Sequence, residues 1–93
     1  MPHQDHSTWL LDERWRLGVH IQARRMRQNL TQEELAERAG VSRDTVQRIE
    51  RAANNPRFTD LLRIARALDT RLAYLLEGEQ GQLARDHTKP PAT

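Results

Sequence analysis

The sequence predicts an all-α domain of five short helices, and three observations predict it. Hydrophobic residues make up 37% of the chain and aromatics only 4%, so its apolar content is Leu, Ile, Val and Ala suited to helix packing. No run rich in Val, Ile and Thr alternates as a strand would. Apolar residues instead recur three and four apart, which places them on one face of a helix. Ninety-three residues allow one small domain, with most of its apolar side chains committed to a single core.

The first helix is expected to start after Thr8 or Asp12, both suitable caps, and to run to about Gln28. Leu17 and Ile21 lie one turn apart on its core face, and Asn29 suits the break that ends it. Ahead of it, Met1 to Ser7 is polar with nothing to bury, so residues 1–11 read as a mobile N-terminal extension. Thr31-Gln-Glu-Glu34 is a capping box for the second helix, with hydroxyl and carboxylate each satisfying an orphan amide. Gly40 ends that helix, and Ser42 caps a third from Arg43 to about Arg51. Ala52 to Pro56 reads as a loop, because Pro56 restricts Asn55 and paired asparagines favour turns. Phe58, Leu61, Leu62, Ile64, Ala65 and Leu68 then recur at helical spacing, predicting a fourth helix from about Thr59 to Leu68. A short fifth helix follows around Leu72 to Leu76 and is ended by Gly78. The domain therefore spans residues 12–78, and the polar residues 79–93, finishing in Lys89-Pro-Pro, read as a disordered tail.

Residues 32–51, QEELAERAGVSRDTVQRIER, put small and apolar side chains where two helices cross closely. Ala36 admits the backbone of the next helix, and Gly40 takes the left-handed conformation of a sharp turn. Val41, Val46 and Ile49 face inward against Leu35 and Ala39. This is a helix-turn-helix signature, a unit that presents its second helix to the DNA major groove.

Net charge is only +2, but its distribution is informative. Lys89 is the sole lysine, and between Arg14 and Thr31 there are five arginines and no acid. Arginine suits bidentate contact with phosphate and guanine. With no cysteine there is no disulfide framework, thiol chemistry or cysteine-based zinc site, which fits a reducing cytoplasm. No signal peptide or run of membrane length appears. His3 and His6, with His20 further on, have no acidic or cysteine partner that would make a metal site, so neither metal nor cofactor is expected. Nothing resembles a catalytic triad or a glycine-rich phosphate loop, and no enzyme is expected.

From Leu17 to Leu76 the chain resembles the Cro/C1-type (Xre-like) helix-turn-helix family of bacterial and phage transcriptional regulators. The resemblance is carried by LGVHIQARR, LTQEELAERAGVS, TVQRIER, NPRFTDLLRIARAL and LAYLLEG. It implies a lambda-repressor-like five-helix bundle binding double-stranded operator DNA, commonly as a homodimer, in the cytoplasm and associated with the nucleoid. Gln32 matches the family's phosphate-binding glutamine, beside Thr31 at a helix N-terminus that attracts phosphate. Arg25 and Glu50 match a family ion pair between the first and third helices. Arg43, Asp44, Gln47 and Arg48 match the base-reading positions.

Chemistry supports those four independently. Arginine spans guanine O6 and N7, and glutamine spans adenine N6 and N7, each worth about 1–3 kcal/mol of discrimination. Asp44 either accepts from cytosine N4 or holds Arg48 one turn on, and the spacing favours the second. Arg24, where the family often has an apolar residue, either meets phosphate or snorkels over the core edge. Asn54, Asn55 and Arg57 form either a phosphate clamp or a plain surface loop. Ala52 stands where a glycine is common, so that turn is expected to be different or strained. Asp69-Thr70-Arg71 replaces the usual Gly-Val-Ser between the last two helices.

Leu11, Trp15 and Val19 form a second apolar stripe on the first helix, and Trp9 lies nearby. The stripe either packs on a partner subunit, with Tyr74 as a further contact, or folds back near Tyr74 and Leu75 of the same chain. The leading reading is a repressor-like regulator on a palindromic operator. The alternative is a protein-interaction module, such as an antitoxin bound to a toxin, in which DNA binding is secondary.

Overall fold

The computed structural model describes the backbone of residues 4–53 and 55–78, with side chains from Thr8 onward. Four helices run in order: α1 (Gln4–Arg27), α2 (Gln32–Ala39), α3 (Arg43–Glu50) and α4 (Phe58–Ala67). A fifth, α5, occupies residues 72–78, and there is no strand among the described residues. No described helix is long and apolar enough to cross a membrane.

Each boundary has a local cause. Thr31 and Glu34 make the reciprocal capping box at the start of α2. Gly40 closes α2 at φ 74, and an added Cβ there would meet nothing within 4 Å. Its glycine is thus required by backbone conformation rather than by space. Ser42 accepts from the Thr45 amide and opens α3. Asn29 takes φ 59 at the end of α1. Ala52 takes φ 57 and Asp69 φ 59, so both positions hold the left-handed turn although neither is glycine. That costs about 1–2 kcal/mol per residue, and it is the strain expected at Ala52.

One core joins all five helices. Ile21, Leu35, Val46, Ile64 and Leu68 are fully enclosed, with Leu17, Leu30, Ile49, Leu61 and Leu75 nearly so. Each such side chain stabilises the fold by about 1.5–3 kcal/mol relative to exposure. Ala36, Ala39 and Ala65 are buried where helices approach closely, and Val41 packs partly against the same cluster.

Three expectations are corrected. α1 starts at Gln4 rather than after Thr8 or Asp12, so much of the stretch expected to be a mobile extension is helix. A capping residue only permits a start, and nothing between Gln4 and Asp12 forces a stop. Phe58 and Leu62, grouped with the α4 core positions, are 66% and 43% exposed on the flank of that helix. The stripe on α1 does not fold back on α5, since Trp15 is 64% exposed. The expected tail, 79–93, lies outside the described residues, as do the side chains of His3 and His6.

Candidate nucleic-acid interface

α3 buries Val46 and Ile49 and turns Arg43, Asp44 and Arg48 fully outward, with Gln47 half-buried beside them. The same helical spacing brings Arg51 onto this face, exposed at the C-cap. Sequence reasoning passed over Arg51, although its place seven residues after Asp44 was a usable signal. Arg48 Nε lies 2.9 Å from Asp44 Oδ2, both side chains well exposed. Such a pair adds little stability. Its consequence is orientation, because Asp44 occupies one edge of the guanidinium and leaves the other for an outside acceptor.

Behind this face, α3 is fastened to α1. Arg25 donates from Nε to Glu50 Oε2 at 2.7 Å and from Nη2 to Oε1 at 3.1 Å, while Nη1 donates to the Leu30 carbonyl at 2.8 Å. The two side chains are 10% and 3% exposed. Breaking a buried, bidentate pair of this kind costs about 3–5 kcal/mol, because one charge is then left without a partner. Glu50 also accepts from Gln32 Nε2 at 3.0 Å. Its carboxylate is therefore spent on the fold and is not directed at a base. One Gln32 amide hydrogen is used here, and the amide carries a second.

A close backbone crossing completes the joint. A Cβ on Gly18 would lie 2.6 Å from the Ile49 carbonyl oxygen and 2.7 Å from that of Glu50. Only glycine lets α1 approach the last turn of α3 this closely. Spacing along the sequence offered no signal for this role.

Thr31 has less to offer an outside group than its sequence position implied. Its amide donates to the Glu34 carboxylate at 2.8 Å and its oxygen accepts from the Glu34 amide at 3.0 Å, and an outside acceptor would compete with that carboxylate for the hydroxyl proton. The Thr31 amide, then the hydroxyl, holds the Glu34 carboxyl below the usual carboxylate range, with Arg38 adding to this. A lowered folded-state value means that this cap is fully made above the ordinary carboxylate range and is lost as pH falls below that range, through the lowered value.

Beyond α3, Arg57 is exposed at the N-cap of α4 and makes no capping bond. It shares a hollow of about 300 Å³ with Arg48, Asn55 and the carboxylates of Asp44 and Asp60. Asn55 Oδ1 accepts from Arg14 Nη1 at 3.1 Å, which turns its amide nitrogen away from Arg14. Arg14 is a second residue that sequence reasoning missed, since 41 residues separate the partners. Asn54 lies outside the described residues.

Arg24, expected on phosphate, is corrected. Its Nε donates to the Leu68 carbonyl at 3.1 Å and its Nη2 to that of Asp69 at 3.2 Å. Gln28 Nε2 joins them on the Leu68 carbonyl at 2.9 Å. The end of α4 has free carbonyls and the negative end of the helix dipole, so a guanidinium is held there. His20 ties α1 to α5 in a similar way, its Nδ1 lying 2.6 Å from the Leu75 carbonyl oxygen. Its imidazole packs against Gly78, where a Cβ would come within 2.6 Å of Nε2.

Trp15 and Val19 are exposed on the outer side of α1, and Tyr74 is half-buried on α5.

Comparison with known proteins agrees with this geometry. A helix-turn-helix family model matches residues 21–75. Antitoxin HigA1 of Mycobacterium tuberculosis is 41% identical over 66 residues, which cover 71% of this chain and 44% of that protein. The chain thus spans less than half the length of the curated relatives it matches. Among solved structures, a hypothetical transcription factor NHTF from Neisseria superposes with a TM-score of 0.70 at 29% identity, covering 77% of this chain and 83% of that one. The clp gene regulator ClgR from Corynebacterium glutamicum gives 0.66 at 27% identity over 80% of this chain and 79% of its own. The DNA-binding domain of the P22 C2 repressor gives 0.64 at 33% identity over 71% and 87%.

Proposed function

This chain belongs to the Cro/C1-type helix-turn-helix family, and we propose that it is a sequence-specific DNA-binding transcriptional regulator, working as a repressor on a palindromic operator. The observation that carries this reading is the outward face of α3, held rigidly from behind by the Arg25–Glu50 pair. Arg43, Gln47 and Arg48 read base edges, Asp44 orients Arg48, and Arg51 extends the face. Gln32, the Thr31 hydroxyl, the Asn55 amide and Arg57 meet phosphates on either side. A homodimer presents two such helices to half-sites roughly 34 Å apart, one turn of duplex. No catalytic role belongs to this reading, and the protein works where its DNA is, in the cytoplasm.

Selection of bound duplexes from a random pool, at near-physiological salt with non-specific competitor, tests it. Enrichment of a palindrome is the expected result. Arg43→Ala then relaxes preference at one position, whereas Gln32→Ala weakens all sequences about equally. An unchanged preferred site in Arg43→Ala would remove α3 from its reading role.

A second reading rests on two observations. The likeness to Antitoxin HigA1 and the exposed apolar side chains of α1 fit a module that binds a protein partner, with DNA binding secondary. Folded protein that enriches no duplex would favour it.

A further inference from the structure

The inward face of α1 does not end at Leu17. Asp12, Trp15 and Arg16 are exposed, whereas Glu13 and Arg14 are half-buried, so that face continues for one more turn. The helical repeat puts Arg14 one turn before Leu17 and Gly18, and Gly18 is where α1 crosses the Ile49 and Glu50 carbonyls at the end of α3. One turn further back, Arg14 stands over the loop that leaves α3, and its Nη1 donates to Asn55 Oδ1 at 3.1 Å. Its Nε is buried with no partner among the described residues. Enclosing a guanidinium N–H without an acceptor is unfavourable, so fold stability does not account for an arginine here. Arg14 also lies ahead of Leu17, where the family resemblance begins, and the resemblance gives it no role.

Asn55 is exposed on the loop between α3 and α4, and Pro56 restricts its backbone. What remains free is its side chain, whose two ends differ, since Oδ1 accepts and Nδ2 donates. With Oδ1 held on the Arg14 guanidinium, the Nδ2 hydrogens point away from Arg14 and are polarised by its charge. Arg48 and Arg57 line the same hollow as Asn55, so a donor set for an anion already surrounds that amide. We propose that Arg14 is a positioning residue for duplex binding. It holds the Asn55 amide in the orientation that donates to a backbone phosphate, and it does not touch DNA itself. A side chain held beforehand loses less freedom on binding than one that must be ordered on contact. The gain is independent of sequence, because phosphates carry no base information. Through this one hydrogen bond, the turns of α1 that precede Leu17 belong to the DNA-binding machinery.

The inference rests on the phosphate contact of Asn55 in the proposed function, and its test uses the full chain with a duplex of arbitrary sequence at about 50 mM salt, so that no operator is needed. Arg14→Met should weaken binding about fivefold, by leaving one side chain per subunit to be ordered on contact, at an unchanged melting temperature. Asn55→Ala should weaken it at least as much. With Asn55 already replaced by alanine, Arg14→Met should cost less than about twofold, because a residue that acts through another has nothing left to act on. In the free protein, nitrogen relaxation should show the Asn55 side-chain amide ordered in wild type and averaged in Arg14→Met, a change that a packing role would not produce. Equal cost of Arg14→Met in both backgrounds would overturn the proposal, and so would an Asn55 amide that stays ordered without Arg14. A salt slope lowered by about 0.9 in Arg14→Met would also overturn it, since Arg14 would then neutralise a phosphate itself. Failure to enrich a palindrome with these effects intact would remove the operator reading alone, and wild-type protein that binds no duplex would remove both.

Discussion

From Leu17 to Arg27, α1 is locked into the bundle by a backbone crossing at Gly18, a tie from His20 to α5 and the guanidinium of Arg25 on Glu50. From Trp9 to Trp15 the same helix leaves four large apolar side chains between 49% and 64% exposed, Trp9, Leu10, Leu11 and Trp15. The inner half positions the reading helix, and these four side chains of the outer half stabilise nothing within their own chain. Apolar composition therefore does not identify a core. Burial comes from what packs against a side chain, and no described element packs over these four. Arg14 stands at the boundary, joining the overhanging turns to the loop that carries Asn55.

Substitutions in the two halves should separate these roles. The largest effect is expected from Arg25→Ala, which leaves the nearly buried Glu50 carboxylate with only Gln32 as a side-chain donor. Urea denaturation should show a loss of about 3–5 kcal/mol, a large part of the total stability of so small a domain. Gly18→Ala comes next. Its methyl group must push α1 away from the Ile49 and Glu50 carbonyls, at about 1–3 kcal/mol. Duplex binding measured on the fraction that remains folded should weaken too, since α3 moves with the joint. Gly78→Ala adds a Cβ at φ +81 and against His20, with an expected cost of about 1–2 kcal/mol in the same assay. Trp15→Glu, in the outer half, should change the stability of dilute monomer by no more than about 0.5 kcal/mol. If Trp15→Glu instead cost as much as Gly18→Ala, the contrast between the halves would collapse.

Acidification probes a third place, the start of α2. Because the Glu34 carboxyl is held below its ordinary range, the capping box contributes fully above that range and is lost as pH falls below it, through the lowered value. Hydrogen exchange at the Thr31 and Glu34 amides should accelerate in acid relative to the Leu35 amide, which bonds to the Thr31 carbonyl.

Much of α2, the turn and α3 was legible because their determinants are local. The Thr31 and Ser42 caps, the left-handed Gly40 and the inward spacing of Leu35, Val46 and Ile49 act within one helix or across one turn. The Arg25–Glu50 geometry was accessible only through resemblance, since 25 residues separate the partners. Arg24 misled because an arginine in a basic segment of a nucleic-acid-binding fold looks like a phosphate ligand. The free carbonyls that hold it, at Leu68 and Asp69, exist only once α4 ends beside α1. At Ala52 the resemblance left open a different turn or a strained one, and the left-handed φ of 57 is the strained outcome.

By itself, then, the sequence determined the helical class, the cap-to-turn grammar of the helix-turn-helix and the residue types on its outward face, all consequences of backbone preference and periodicity within a few turns. Tertiary structure alone decided that Gly18 is where two backbones nearly touch, that Arg24 and Arg14 serve carbonyl oxygens, and that Trp15 stays in solvent. The physical reason is common to these three. Exposure, close approach and the choice of hydrogen-bond acceptor depend on which distant segment arrives beside a residue, and local propensity carries no information about that arrival.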